Sequence, residues 1–243
     1  MNIDRDQLRR EARDIDAEHR SGLRRFLPGA NAGLLVTSIN RRRFLQIGGV
    51  GVLSAAVLAA CGNDDNKKAA NTDAASGKGT MMDITILRTA SSLEHVAIDV
   101  YQKAIDNASA LGITAAVADV AKLFQSQHRD HAGLFEGATK DAGGQAFTTA
   151  NPAVMNSLMP RITALKTELD VVTLARDLEN VAAATYQSTV GAFDNLAYNA
   201  AAMSVGGVEA RHAAVLNGVL KSDVFASKAF HVTTGAVAAG TGV

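Results

Sequence analysis

LEHVAIDVYQ at residues 93–102 returns as LENVAAATYQ at 178–187. Each copy sets a glutamate, Glu94 or Glu179, two helical turns ahead of a tyrosine, Tyr101 or Tyr186. The surrounding apolar residues recur with the period of one helix face. Leu87, Ala90, Ala97, Ile98 and Ile105 share the face of Glu94 and Tyr101, while Val172, Ala175, Ala182, Ala183 and Val190 share that of Glu179 and Tyr186. An amphipathic helix normally turns its glutamates to water, because an unpartnered buried carboxylate is strongly destabilising. A chain that points one inward twice, at equivalent places, must bring partners to both.

Two further stretches supply them. HRDHAGLF at 128–135 and EARHAAVL at 209–216 align His131 with His212 and His128 with Glu209. Residues three apart on a helix are neighbours on one face. Val120, Phe124, Leu134 and Phe135 accompany the first pair, and Val205, Val208, Val215, Leu216 and Val219 the second. The order along the chain is therefore Glu, His-x-x-His, Glu, Glu-x-x-His, with an offset of 85 between the glutamates and 81 between the aligned histidines. Periodicity predicts helices over 84–109, 114–140, 161–192 and 197–221. A short link at Leu111-Gly112 joins the first two. GGQAFTTANPAVMNSLMP, between the second and third, is long enough to cross a bundle from end to end. The expected fold is all-α, a four-helix bundle with one long crossover between helices two and three. Six ligand-type side chains converge on its core.

This ordered set resembles the ferritin-like superfamily, in particular the ferritin-like domains of exported bacterial proteins. VEARHAAVL around Glu209 and His212, and LExxAxxxY around Glu94 and Tyr101, carry the likeness, which covers roughly residues 83–221. The resemblance implies Glu94 and Glu179 as terminal carboxylate ligands, His131 and His212 as imidazole ligands, and Glu209 as a carboxylate able to bridge two metals. Position 128 departs from the pattern, which expects glutamate where this chain has His128. His128 stays in the expected ligand set, with an uninvolved helix-face residue as the alternative. Three carboxylates do not balance two divalent ions, so the second ion is expected to bind more weakly, or the site to hold only one. Iron is the expected metal, and manganese or zinc suits the same mixed nitrogen and oxygen donors. Tyr101 and Tyr186 are expected either to orient ligands as outer donors or to be core tyrosines. Gly206-Gly207, just before Glu209, is expected to allow a close backbone approach.

The front of the chain reads differently. Ile47–Ala60 is apolar but shorter than the ~20 residues that span a bilayer. Arg41-Arg42 followed by Phe44-Leu45 resembles a twin-arginine export signal, and Leu58-Ala59-Ala60-Cys61 resembles a lipobox. Residues 1–40 are expected to be a charged n-region, cleaved or disordered, with a charged helix as the alternative. Residues 41–61 form the signal, 62–80 a flexible tether, 81–221 the bundle and 222–243 a loosely packed tail in which His231 is exposed. Cys61, the chain's single cysteine, rules out an intramolecular disulfide. It is expected to carry a lipid that anchors the protein to the membrane, at the outer face of the cytoplasmic membrane or in the cell envelope.

Charge narrows the function. Ten arginines against six acidic residues in 1–43 leave about +4, and the whole chain is neutral, so the remainder carries about −4. A nucleic-acid surface needs the opposite sign on the folded part. No nucleotide-binding glycine loop, Ser-His-Asp set or disulfide redox motif stands in the sequence. Two functions remain: an iron-binding protein acting as a non-haem iron oxidoreductase or oxidising iron itself, and a non-catalytic envelope lipoprotein whose metal site is structural or degenerate. Mononuclear zinc hydrolysis has ligands but no base. A storage cage is not expected of a tethered chain, and a homodimer is compatible with it.

Overall fold

The computed structural model of the protein describes residues 5–26, 79–221 and 235–243. They form α1 (Arg5–Phe26), α2 (Met81–Asp106), α3 (Ala115–Asp141), α4 (Pro152–Thr163), α5 (Glu168–Ser188) and α6 (Leu196–Leu220), with no strand among the described residues. Arg41, Arg42, Cys61, residues 62–78 and His231 lie outside the described residues.

Local chemistry sets where the bundle helices begin. The Thr80 hydroxyl accepts the Asp83 N–H and the Asp83 carboxylate accepts the Thr80 N–H, both at 3.1 Å. This reciprocal box starts α2. Thr167 and Asp170 repeat it ahead of α5. Two contacts then fix the direction of the helices. The Asp194 N–H, between α5 and α6, donates to Asp83 at 2.9 Å, and the Thr114 N–H, between α2 and α3, donates to Glu168 at 2.5 Å. The start of α2 therefore meets the end of α5, and the start of α5 meets the end of α2. These two helices run antiparallel, each paired most closely with its successor, α2 with α3 and α5 with α6. The stretch from Ala142 to Thr167 is the end-to-end crossover.

That crossover carries a helix of its own. The Asn151 side chain accepts the Val154 N–H at 3.1 Å, and Pro152 sits at the first helical position, where its missing donor costs nothing. The expected third helix from 161 thus divides: α4 ends at Thr163, and the Thr167 box restarts the chain at Glu168. Leu158 of α4 packs with Val96, Val100 and Leu174, covering the outside of α2 and α5.

Two terminal segments differ from their sequence expectations. Residues 5–26 are a helix, the alternative to a leader. Leu8, Ile15 and His19 of α1 are buried, and the helix packs against α3 and α6. Their spacing of seven and four is a helix stripe, but so narrow among arginines and acids that the charged residues conceal it. Residues 235–243 are docked, not loose. The Val237 N–H donates to Thr185 Oγ1 at 3.0 Å, the Gly240 N–H donates to Thr89 Oγ1 at 2.9 Å, and the Thr241 carbonyl accepts from Asn151 at 2.7 Å. Backbone amides on hydroxyls hold this segment, which leaves no apolar period in the sequence. No helix among the described residues is long and apolar enough to cross a membrane.

Docking of α1 is open to test. Ile15→Ala in the full chain should lower its stability by about 2–4 kcal/mol, read from urea unfolding; an unchanged midpoint would mean that α1 is not seated on the bundle in solution.

Candidate metal centre

Antiparallel packing brings six side chains to one place in the bundle. α2 supplies Glu94, α5 supplies Glu179, α3 supplies His128 and His131, and α6 supplies Glu209 and His212, all between 0% and 2% exposed. They form two groups of four, Glu94, His128, His131 and Glu209 on one side, and His128, Glu179, Glu209 and His212 on the other. Within each group one ligand atom per residue lies within 4.8 Å of the others. His128 and Glu209 belong to both. The Glu209 oxygens divide between the halves: Oε1 is 2.8 Å from His131 Nδ1 and Oε2 is 3.1 Å from His212 Nδ1. The two nitrogens of His128 divide likewise, Nδ1 at 2.7 Å from Glu94 and Nε2 at 3.2 Å from Glu179.

The arrangement has the donors a cation needs. His131 Nδ1 and Glu209 Oε1 are buried and face each other, yet neither makes a hydrogen bond of sound geometry. A buried nitrogen and a carboxylate oxygen aimed at one dry space, poorly aligned to bond each other, suit a metal ion in place of the proton that pairs them without it. Mixed imidazole and carboxylate donors suit iron, manganese or zinc.

The tyrosines answer the repeat. The Tyr101 hydroxyl donates to Glu179 at 2.5 Å, and the Tyr186 hydroxyl donates to Glu94. Each copy's tyrosine thus holds the other copy's glutamate. A tyrosine seven residues from its own glutamate is about 10 Å away along the helix, too far to reach it, but the antiparallel partner brings the second glutamate alongside. Gly206 makes room for this. A Cβ there would lie 2.8 Å from the Cβ of Tyr186, whereas one on the exposed Gly207 would meet only the Arg211 guanidinium, at 3.9 Å.

Electrostatics follows from burial working against pairing. Burial alone would raise the Glu94 carboxyl, but the His131 and His128 rings against it bring it down to about 2. Glu179 is likewise held well below the usual range by His128 and His212 in spite of burial. Burial would lower the histidines, yet Glu209 and Glu94 bring His131 up to about 9. Glu209 and Glu179 raise His128 well above its ordinary value, and Glu179 raises His212. Tyr101 and Tyr186 are pushed up by burial and by the glutamates they face, so both stay neutral donors.

The sequence profile of the ferritin-like domain matches residues 82–222. The chain belongs to the ferritin-like domain family. No curated protein and no solved structure matches it.

Within this ferritin-like domain the buried Glu and His cluster is compatible with a metal site. Three residues around it make contacts that sequence reasoning missed. Gln127 is 1% exposed, and its Oε1 lies 2.6 Å from His212 Nε2. Phe124 stacks on His212 with ring centres 3.8 Å apart. His19, from α1 and outside the matched residues, lies 3.3 Å from His131 Nε2. Burial and the neighbouring His131 lower His19 to about 4, so it is neutral. Gln127 follows a helical stripe of its own in HRDHAGLF's approach, SQHRDH, but glutamine beside charge reads as surface.

The metal-free ferritin-like domain should respond to pH with opposite signs at the two ends. His131 is raised from 6.5, so its contribution is full below about 6.5 and is lost as pH climbs through about 9. Glu94 is lowered from 4.5, so its contribution is full above 4.5 and is lost as pH falls through about 2. Metal displaces the histidine protons. Between about pH 6.5 and 9 the Tm of metal-free protein should therefore fall while zinc affinity rises; parallel trends in both would contradict the ion pairing described.

Gly206→Ala should push Tyr186 away from Glu94 and lower Tm. Tyr101→Phe, which removes only a hydroxyl, should cost about 1.5–3 kcal/mol for a bond to a charged group. Unfolding of the two variants side by side checks both.

Proposed function

We propose that this ferritin-like domain binds iron, one or two ions, between Glu94, His128, His131, Glu179, Glu209 and His212. The observation that carries the reading is the pair of overlapping four-ligand groups, with His131 Nδ1 and Glu209 Oε1 buried and unbonded between them. We further propose that the protein is exported and held by a lipid on Cys61 at the outer face of the cytoplasmic membrane or in the cell envelope; the twin-arginine-like and lipobox-like residues support this.

Bound iron would supply one-electron chemistry, toward oxygen or peroxide or through its own oxidation, and an oxidoreductase role rests on that. The protein's part is to hold the donors dry. Tyr101 and Tyr186 each fix one oxygen of a carboxylate, leaving the other free to turn to the ion. Glu209, with one oxygen toward each half, is the group placed to serve two ions.

A second reading, a structural or degenerate site without catalysis, draws on His128. Both of its nitrogens are already engaged by Glu94 and Glu179, and it stands where a fourth carboxylate would offset a second divalent charge. On charge alone the first ion binds more tightly than the second.

Metal stoichiometry separates these readings. The full chain, loaded anaerobically with Fe(II), Mn(II) or Zn(II), is compared with the Glu94→Ala/Glu209→Ala double variant. Two irons lost in the variant support a paired centre, to be followed by oxygen consumption. One ion lost supports the single-ion reading. No metal in either protein would remove the ligand assignment.

A further inference from the structure

His131 and His212 are turned the same way. Each presents Nδ1 to Glu209, at 2.8 Å and 3.1 Å, and each turns Nε2 outward. A neutral imidazole offers a lone pair on one nitrogen only, and which one is set by the hydrogen bond the other makes. The outward partners therefore decide whether the inward nitrogen is a donor of electrons or of a proton.

On the His212 side, Nε2 meets Gln127 Oε1 at 2.6 Å. An amide oxygen only accepts, so His212 carries its hydrogen on Nε2. The amide itself is oriented by Asp16 of α1, whose Oδ1 accepts from Gln127 Nε2 at 3.4 Å. On the His131 side, Nε2 meets Nδ1 of His19, also on α1, at 3.3 Å. The outer nitrogen of His19 lies 3.3 Å from Asp130 Oδ2. A carboxylate only accepts, so His19 carries its hydrogen on Nε2 and its Nδ1 accepts from His131. Both chains end on an acid that anchors the direction of every donor before it, and both leave the inward Nδ1 with a free lone pair once the rings are neutral, as metal binding requires.

We propose that α1 positions both histidine ligands of the centre, through the chains Asp130–His19–His131 and Asp16–Gln127–His212. The inference rests on the metal-binding reading above and adds to it two positioning residues, His19 and Asp16, that lie outside the residues 82–222 matched by the family. Each side of a site with pseudo-twofold symmetry receives one residue from the same added helix. Asp130 and Asp16 are 54% and 21% exposed at their side chains, while His19 and Gln127 are 3% and 1% exposed, so each chain runs from the dry core to the solvent edge.

The test uses the full chain with 15N-labelled histidine, loaded with Zn(II), and side-chain NMR that reads the proton on each ring nitrogen. In the unsubstituted protein His131 and His212 should both carry a slowly exchanging Nε2–H. His19→Ala should speed exchange at His131 alone and weaken zinc binding by about 10–100-fold. Asp16→Ala should do the same at His212 alone. His19→Gln, whose amide can accept from His131 and donate to Asp130, should restore the His131 signal. Ile15→Ala, which loosens α1 without removing a link, sets the reference for a packing effect shared by both histidines. If His19→Ala and Asp16→Ala leave both ring protons and the affinity unchanged, or move both histidines together as Ile15→Ala does, the positioning role is wrong and zinc binding stands. If the unsubstituted chain binds no zinc, the centre fails, and this role with it.

Discussion

Three carboxylates buried in an alanine- and valine-rich core set the terms for everything around them. Glu94, Glu179 and Glu209 are each 2% exposed or less, and a buried charge persists only where it is paired and hydrogen-bonded. The three histidines supply the pairing and the two tyrosines the hydrogen bonds. Little of this is local: Glu209 has His212 on its own helix, but Glu94 and Glu179 draw their histidines from other helices, and the tyrosine on a glutamate's own helix is out of reach. The bundle must therefore hold α2 and α5 antiparallel and in register to within a hydrogen bond. Gly206 follows from the same demand, because a side chain there would displace Tyr186. Without metal, protons on His131 and His128 do part of the work of a cation, which is why the site reads as a stack of ion pairs.

Much of this was legible in the sequence because it violates a rule. A glutamate on an apolar face is anomalous, and its repetition with the histidine pairs placed all six residues in one site and the chain in a four-helix bundle. What periodicity could not give was the crossing of the tyrosines, since one helix's pattern carries no information about the register of its partner. The crossover helix was also hidden: Pro152 and Pro160 read as breakers, and only the Asn151 cap and the position of Pro152 at a helix start turn that stretch into α4. Gln127 looked like surface because glutamine is ambiguous between a solvated amide and a buried one with two fixed partners. Residues 5–26 failed for the opposite reason to the glutamates. Among the described side chains their buried stripe is Leu8 and Ile15 with His19, and the charges around it dominate any reading by composition.

The placement of α1 bears on the export proposal. Processing ahead of Cys61 would cut the covalent link between α1 and the bundle. Burial of Leu8 and Ile15, the apolar side chains of α1 described as buried, contributes about 3–6 kcal/mol at most, and a free helix held by those two alone would have a Kd no tighter than about 40 μM, before the entropy of association is counted. Held by no more than that, the severed helix would leave at ordinary concentrations, taking His19 and Asp16 with it and opening the outer nitrogens of His131 and His212. On that condition the chains proposed to orient the histidines would belong to the unprocessed protein. A twin-arginine route carries chains that have already folded, so a centre assembled on the inner side would have α1 in place while its metal is chosen and would lose it only after delivery. On the export reading, the outer support of the site and the leader are one segment used twice: first to set the histidines for loading, then to address the folded protein for transport.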